Sequence, residues 1–150
     1  MDQLKLVALD KDDLEVISTH LQDAVLNVGD IVWLRSEKRV VLALNRFDWE
    51  ATCCETPQYQ RRRTALRFER VNAVRCRNVK PADKDTVLCL LSVEFVESDP
   101  PNGAVVLTFS GGGALRLEVE CLEAEIADLG PAWATARRPE HSGEMADGRR

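Results

Sequence analysis

Hydrophobic residues recur along this chain at two spacings, and the switches between them outline its elements. Leu4, Leu6 and Leu9 mark a short first strand, after which Asp10, Asp12 and Asp13 gather where the positive end of a helix favours carboxylates. Leu14, Ile17, Leu21, Ala24 and Val28 then follow three and four apart, the apolar stripe of a helix that ends near Gln22, because Val25 opens a run of strand formers. Residues 25–34 are rich in Val, Ile, Leu and Trp, and the polar group 35–39 separates them from a second such run, which predicts a hairpin. In that second run Val40, Leu42 and Leu44 share one face while Phe47 and Trp49 have the opposite parity. A β-bulge near Asn45 and Arg46 or two buried faces would reconcile them, and the bulge is the preferred reading.

Residues 51–63, with Pro57 and the consecutive Arg61, Arg62 and Arg63, have neither periodicity and read as a loop. Strand character returns over 64–77. A turn at 78–85, a strand over 86–96, a Pro-Pro-Asn-Gly turn at 100–103 and a strand over 104–109 follow. After the glycines 111–113, Leu115, Leu117, Val119 and Cys121 alternate with Arg116, Glu118 and Glu120 as in a half-buried strand. Leu115, Val119, Leu122, Ile126 and Leu129 fit a helical stripe as well, so a strand to about Glu120 running into a helix stopped by Gly130 and Pro131 satisfies both patterns. The composition of 137–150 is that of a segment disordered in water. The expectation is therefore one α+β domain over residues 1–136 and a disordered tail over 137–150. Its sheet should be mainly antiparallel, strongly curved or a partly open barrel, with about six or seven strands and a helix near each end. That order is pleckstrin-homology-like by analogy, and the analogy licenses no function.

Composition sharpens this picture in three ways. With 150 residues, 45% hydrophobic and 30% charged, the chain has the length and apolar content for a core that needs no metal or disulfide. The first ten residues lack the layout of a secretory signal, and the apolar run 87–93 falls far short of the roughly 20 residues of a membrane helix, so a cytoplasmic location without membrane insertion is expected. Five cysteines cannot all pair within one chain, and Cys76, Cys89 and Cys121 sit in hydrophobic runs, so the thiols are read as reduced. The adjacent Cys53 and Cys54 could hold a soft metal or sense oxidants, but no CxxC and no nearby histidine supports that, and no metal or cofactor is expected.

Charge is unevenly placed. Residues 61–80 hold eight basic side chains (Arg61, Arg62, Arg63, Arg67, Arg70, Arg75, Arg77, Lys80) against Glu69, a net +7, so the remainder carries −12 of the overall −5. On one strand over 64–77, Arg67, Glu69, Arg75 and Arg77 would share an exposed face, with Leu66, Phe68, Val74 and Cys76 on the other. Such a face suits RNA or phosphate, and the bland reading, pairing with acids on neighbouring strands or on the acidic segment 118–128, is favoured; a whole-chain pI near 5.1 argues against nucleic acid. The second concentration of chemistry is Asn45 to Glu50, where Arg46, Asp48 and Glu50 alternate with Phe47 and Trp49. Paired carboxylates can serve acid and base roles, although a strand end with a surface ion pair has the same composition. The glycines 111–113 lack the Lys-Ser/Thr of a phosphate loop, His20 and His141 have no partners at a triad or metal spacing, and no GxSxG elbow occurs.

Four stretches taken together, Leu21 to Ala24, Leu44 to Glu50, Leu115 to Ala124 and Asp128 to Trp133, resemble the domain of unknown function 2948 family, proteins found chiefly in alphaproteobacteria. The resemblance extends over most of residues 4–141. It implies a stand-alone cytosolic protein with no assigned activity and no catalytic residues to carry over. Trp133 is expected to fold back after Gly130-Pro131 and cover an apolar end, and the Arg46 guanidinium to need a fixed carboxylate, from its own Glu or from a ligand. The resulting expectation is a non-enzymatic interaction or regulatory module. Its candidate surface residues are Arg46, Asp48, Arg67, Arg75 and Arg77, and its partner an unknown protein or small anionic ligand. An enzyme or binder for a small anionic metabolite is the alternative, with weak RNA or phosphate binding behind it.

Overall fold

The computed structural model describes residues 4–47, 60–129 and 133–134. Eleven strands and one α-helix follow one another: β1 (Lys5–Ala8), α1 (Lys11–Leu21), β2 (Val25–Asn27), β3 (Ile31–Leu34), β4 (Arg39–Phe47), β5 (Gln60–Phe68), β6 (Val71–Arg77), β7 (Val87–Glu97), β8 (Gly103–Phe109), β9 (Ala114–Val119), β10 (Ala124–Asp128) and β11 (Trp133–Ala134). All eleven join one sheet in the order β1-β10-β5-β4-β2-β7-β8-β9-β6, with β3 on β4 and β11 on β5. The described pairings are antiparallel. The path ends at β1 and β6, so among the described residues the sheet is not closed into a barrel.

Ten of these strands have three residues or more, against the six or seven expected, and the excess has a local cause. The run 25–34 is cut by a 3-10 turn at Val28–Asp30, held by Val28 N–H donating to Thr86 O (2.9 Å) and Gly29 N–H donating to Lys84 O (2.9 Å). The run 64–77 breaks at Glu69 and Arg70, where Arg70 adopts a left-handed φ of 58° that ends the ladder. The three arginines 61–63, expected in a loop, belong to β5. No bulge interrupts β4, whose register with β5 is continuous from Val40↔Phe68 to Phe47↔Arg61. The side chain of Phe47, and all of Trp49, lie outside the described residues.

The expected C-terminal helix is a strand. Ala124, Ile126 and Asp128 are buried and alternate with half-buried Glu125 and Ala127, while Leu129, which a helix would have buried, is 58% exposed. β10 is placed between β1 and β5, so both of its edges find ladder partners, a gain that no single helix turn offers here.

The one helix is where its pattern puts it. The Asp10 carboxylate accepts a hydrogen bond from Asp13 N–H (2.8 Å), and Leu14, Ile17 and Leu21 are buried. Asp10→Ala should lower stability by about 1 kcal/mol, the usual value of such a cap, measured as a shift in urea midpoint. The core is one apolar cluster fed from both ends of the sheet and from α1, including Leu42, Leu66 and Phe68 with Leu90, Leu107 and Leu117. At the β7–β8 hairpin, a Cβ on Gly103 would meet Val96 O at 2.6 Å and the Phe95 ring at 2.7 Å. Gly103→Ala must therefore displace backbone, and a loss of about 1–3 kcal/mol is expected in the same denaturation experiment.

Candidate functional site

The inner face of the first half of the sheet is built in cross-strand rows. Val40, Phe68, Ala124 and Ala8 form one row, and Leu42, Leu66, Ile126 and Leu6 the next. The third row changes character: Leu44 is followed by Thr64 and Asp128, both buried, and Arg46 lies beyond it opposite Arg62. Arg46 thus occupies the inward parity of β4, where it is 1% exposed.

Arg46 meets Asp128 fork to fork, its Nε donating to Oδ1 (3.0 Å) and its Nη2 to Oδ2 (2.9 Å). Thr64 Oγ1 donates to Oδ1 (2.7 Å), the Leu4 N–H donates to Oδ2 (2.7 Å), and Arg62 Nε lies 3.9 Å from Oδ2. Burial pushes the Asp128 carboxyl up, but the hydrogen bonds from Arg46, Leu4 and Thr64, with the Arg46 charge, outweigh it and hold the group below its ordinary value. A carboxylate so depressed stabilises the fold fully above its unfolded pKa of about 3.9, and that contribution is lost as pH falls through the lower folded value. Asp128→Asn should therefore be clearly less stable than the unsubstituted protein at pH 7, with the gap closing at acid pH below about 4 in urea titrations. An equal gap at all pH values would rule out the ionised pair.

This arrangement also fixes what the cluster can do. Asp128 spends its acceptor positions on four donors of its own chain, which suits holding strands together better than moving protons. The fixed carboxylate that Arg46 required is Asp128, 82 residues away in sequence. Arg46 Nη1 is buried and has no hydrogen-bond partner among the described residues.

Arg67, Arg75 and Arg77 do not gather around Arg46. Asp48 lies outside the described residues, as do Cys53 and Cys54. Arg67 is on the opposite face of β5 from Thr64 and Leu66, and it sits in a chain of alternating charge. Its Nη2 pairs with Glu125. Its Nε is 3.0 Å from Glu69 without making a hydrogen bond, while Glu69 accepts from Arg39 Nε (2.8 Å) and Glu125 lies 3.5 Å from Lys5 Nζ. Arg67 is thereby committed to its neighbours. Arg75 and Arg77 are on β6, at the far end of the sheet from β1.

On β6 the balance differs. Arg75 lies directly across from Arg116 of β9, and both approach the same carboxylate oxygen, Glu118 Oε2, at 3.9 Å and 2.7 Å. The Arg75 side chain is 73% exposed. Arg77 is exposed next to them on the same face, and no carboxylate among the described residues pairs with it. Two guanidiniums thus share one carboxylate, and a third, Arg77, stands on the same outer face of β6 and β9. Arg116 was not among the expected residues; its signal in sequence is the alternation of 115–121, which makes it an outward position on a strand.

Other possible chemistry is sparse. A cleft of about 350 Å³ between the start of α1 and the β7–β8 hairpin is lined by Leu9, Asp10, Lys11, Phe95, Cys121 and Leu122, and contains none of the expected residues. Among the described residues no group of three or more His, Cys, Asp or Glu is placed to hold a metal, and no helix is long and apolar enough to cross a membrane. Cys76, Cys89 and Cys121 form no disulfide among the described residues, and burial pushes the Cys76 thiol above its ordinary value.

The model of a family described as protein of unknown function (DUF2948) matches residues 4–141. No curated protein and no solved structure matches the chain.

Proposed function

We propose that this chain, which belongs to the DUF2948 family of proteins of unknown function, is a non-enzymatic interaction module that binds an acidic protein partner through Arg75, Arg77 and Arg116. One observation carries the reading. Arg46 is matched by Asp128, and Arg67 by Glu69 and Glu125, whereas on the outer face of β6 and β9 Arg75 and Arg116 share Glu118 and Arg77 has no carboxylate partner among the described residues. A local excess of positive charge on an otherwise acidic protein steers a short acidic surface to that spot, while a long polyanion must also pass the −12 remainder. Cys76 and Cys121 are thiols outside any disulfide among the described residues, which suits a reducing compartment, and the cytoplasm is part of the proposal.

The test is affinity purification from a native host, with the unsubstituted protein beside Arg75→Glu/Arg77→Glu. Both positions are exposed, so the variant should fold normally. Proteins held by the former and lost by the latter are the expected outcome; identical recovery with both would end the proposal.

A second reading has one observation in its favour. The buried Arg46 Nη1 has no acceptor among the described residues, as if a small anion could complete it. A rise in Tm with inorganic phosphate or malonate that Arg46→Lys abolishes would favour this alternative.

A further inference from the structure

β6 closes the sheet on one side: β9 occupies one of its edges, and no strand among the described residues occupies the other. Alternate residues of β6 therefore turn their N–H and C=O groups away from β9 with no ladder partner, a ready template for a further strand. Edges of this kind are usually blunted by charged side chains, proline, bulges or shortness, and here Arg75 and Arg77 place charge on the outer face alone. The opposite edge, β1, has only four residues. β6 has seven and no proline; its one irregularity lies between Val71 and Ala73, and the register from Ala73↔Glu118 to Arg77↔Ala114 is unbroken. That leaves a straight edge of about 17 Å at the usual rise per residue.

The two faces of this edge differ in chemistry. Ala73, Arg75 and Arg77 point outward beside Arg116, while Val74 and Cys76 lie across from the buried Leu117 and Leu115 and extend the apolar inner face. Val74 is half-buried and Cys76 exposed, so the inner face continues past the last strand with little cover from the described residues. A strand laid alongside would set every second side chain against arginines and the others against apolar surface.

Resting on the reading that this surface binds an acidic protein, we propose that the partner is held by strand addition: an extended segment alternating acidic and apolar residues pairs its main chain with β6. Its carboxylates lie over Arg75 and Arg77 within reach of Arg116, and its apolar residues cover Val74 and Cys76. A second copy of this chain is a poor occupant, because β6 against β6 brings two sets of unmatched arginines together. Nucleic acid offers the charge but neither the ladder of main-chain groups nor the apolar alternate positions.

The experiment uses the full chain and a fluorescein-labelled peptide Gly-Ser-Glu-Val-Glu-Val-Glu-Ser-Gly, read by anisotropy at low and at physiological salt. Two further peptides carry N-methyl groups, one on its valines and one on its glutamates. Successive N–H groups of a strand point to opposite edges, so only one methylated set faces β6. The expected result is salt-sensitive binding, weakened at least tenfold by Arg75→Glu/Arg77→Glu and by one of the two methylated peptides but not the other. Equal binding of all three peptides would overturn strand addition and leave the basic surface standing. No binding of the parent peptide, or binding indifferent to the charge reversal, would overturn both. Displacement of the peptide by mixed-sequence RNA at tighter affinity would overturn the protein-partner assignment.

Discussion

Asp128→Ala is expected to destabilise the protein by about 3–5 kcal/mol, the range found when one member of a buried ion pair is removed. The cost is more than the lost attraction. Arg46, at 1% exposure, would keep its charge with no carboxylate to meet it, and Thr64 Oγ1 and the Leu4 N–H would lose their common acceptor. The control is the double replacement Arg46→Met/Asp128→Leu, which removes the charge and its partner together and should recover most of the loss. Urea midpoints for Arg46→Met, Asp128→Leu and the double variant close the cycle, and a coupling well below about 0.5 kcal/mol would show that the two side chains do not act as a pair.

Phe68→Ala should cost a similar amount, about 3–5 kcal/mol, because it empties a fully buried position in a packed row. Phe68 stands between Val40 and Ala124, and it is the last residue of β5 before the chain crosses to β6. The single apolar cluster extends through α1 and both ends of the sheet, so the folded part should melt as one unit. The variant should therefore lower the midpoint of far-UV circular dichroism and of tryptophan fluorescence together. Separation of the two curves would mean that the sheet holds two independently stable parts.

Elements with a local signal were readable from the residues. α1 has its acidic cap and an apolar stripe at helical spacing; the β3–β4 and β7–β8 hairpins have polar or Pro-Gly turns between β-rich runs; β9 alternates cleanly. What failed depends on partners distant in sequence. Residues 122–129 satisfy both periodicities, and the strand is selected by ladders offered by β1 and β5, about 120 and 60 residues away. The opposite parity of Phe47 and Trp49 to Val40, Leu42 and Leu44 led to the expectation of a bulge near Asn45 and Arg46, but the register runs on unbroken through Arg46 to Phe47. The Arg46 position is inward, and Asp128 makes the charge tolerable. Arg62 and Thr64 share the inward parity of Leu66 and Phe68, an alternation that could have extended β5 back into the supposed loop.

The candidate surface was half visible. The charge step over 61–80 located the arginines, but treating 64–77 as one strand merged side chains that the left-handed Arg70 separates. Arg67 is tied into the Arg39, Glu69, Glu125 and Lys5 chain, while Arg75 and Arg77 gain Arg116 from β9, a neighbour that only the sheet order reveals.

The central claim is that partner binding occurs at β6 and that the Arg46 cluster holds the sheet together. Hydrogen exchange of the full chain, followed by mass spectrometry with and without saturating Gly-Ser-Glu-Val-Glu-Val-Glu-Ser-Gly peptide, tests both halves at once. Slowed exchange confined to fragments covering residues 72–77, with 44–47, 62–64 and 126–128 unchanged, is the predicted result. Protection of the Arg46 segments with β6 unchanged would contradict it.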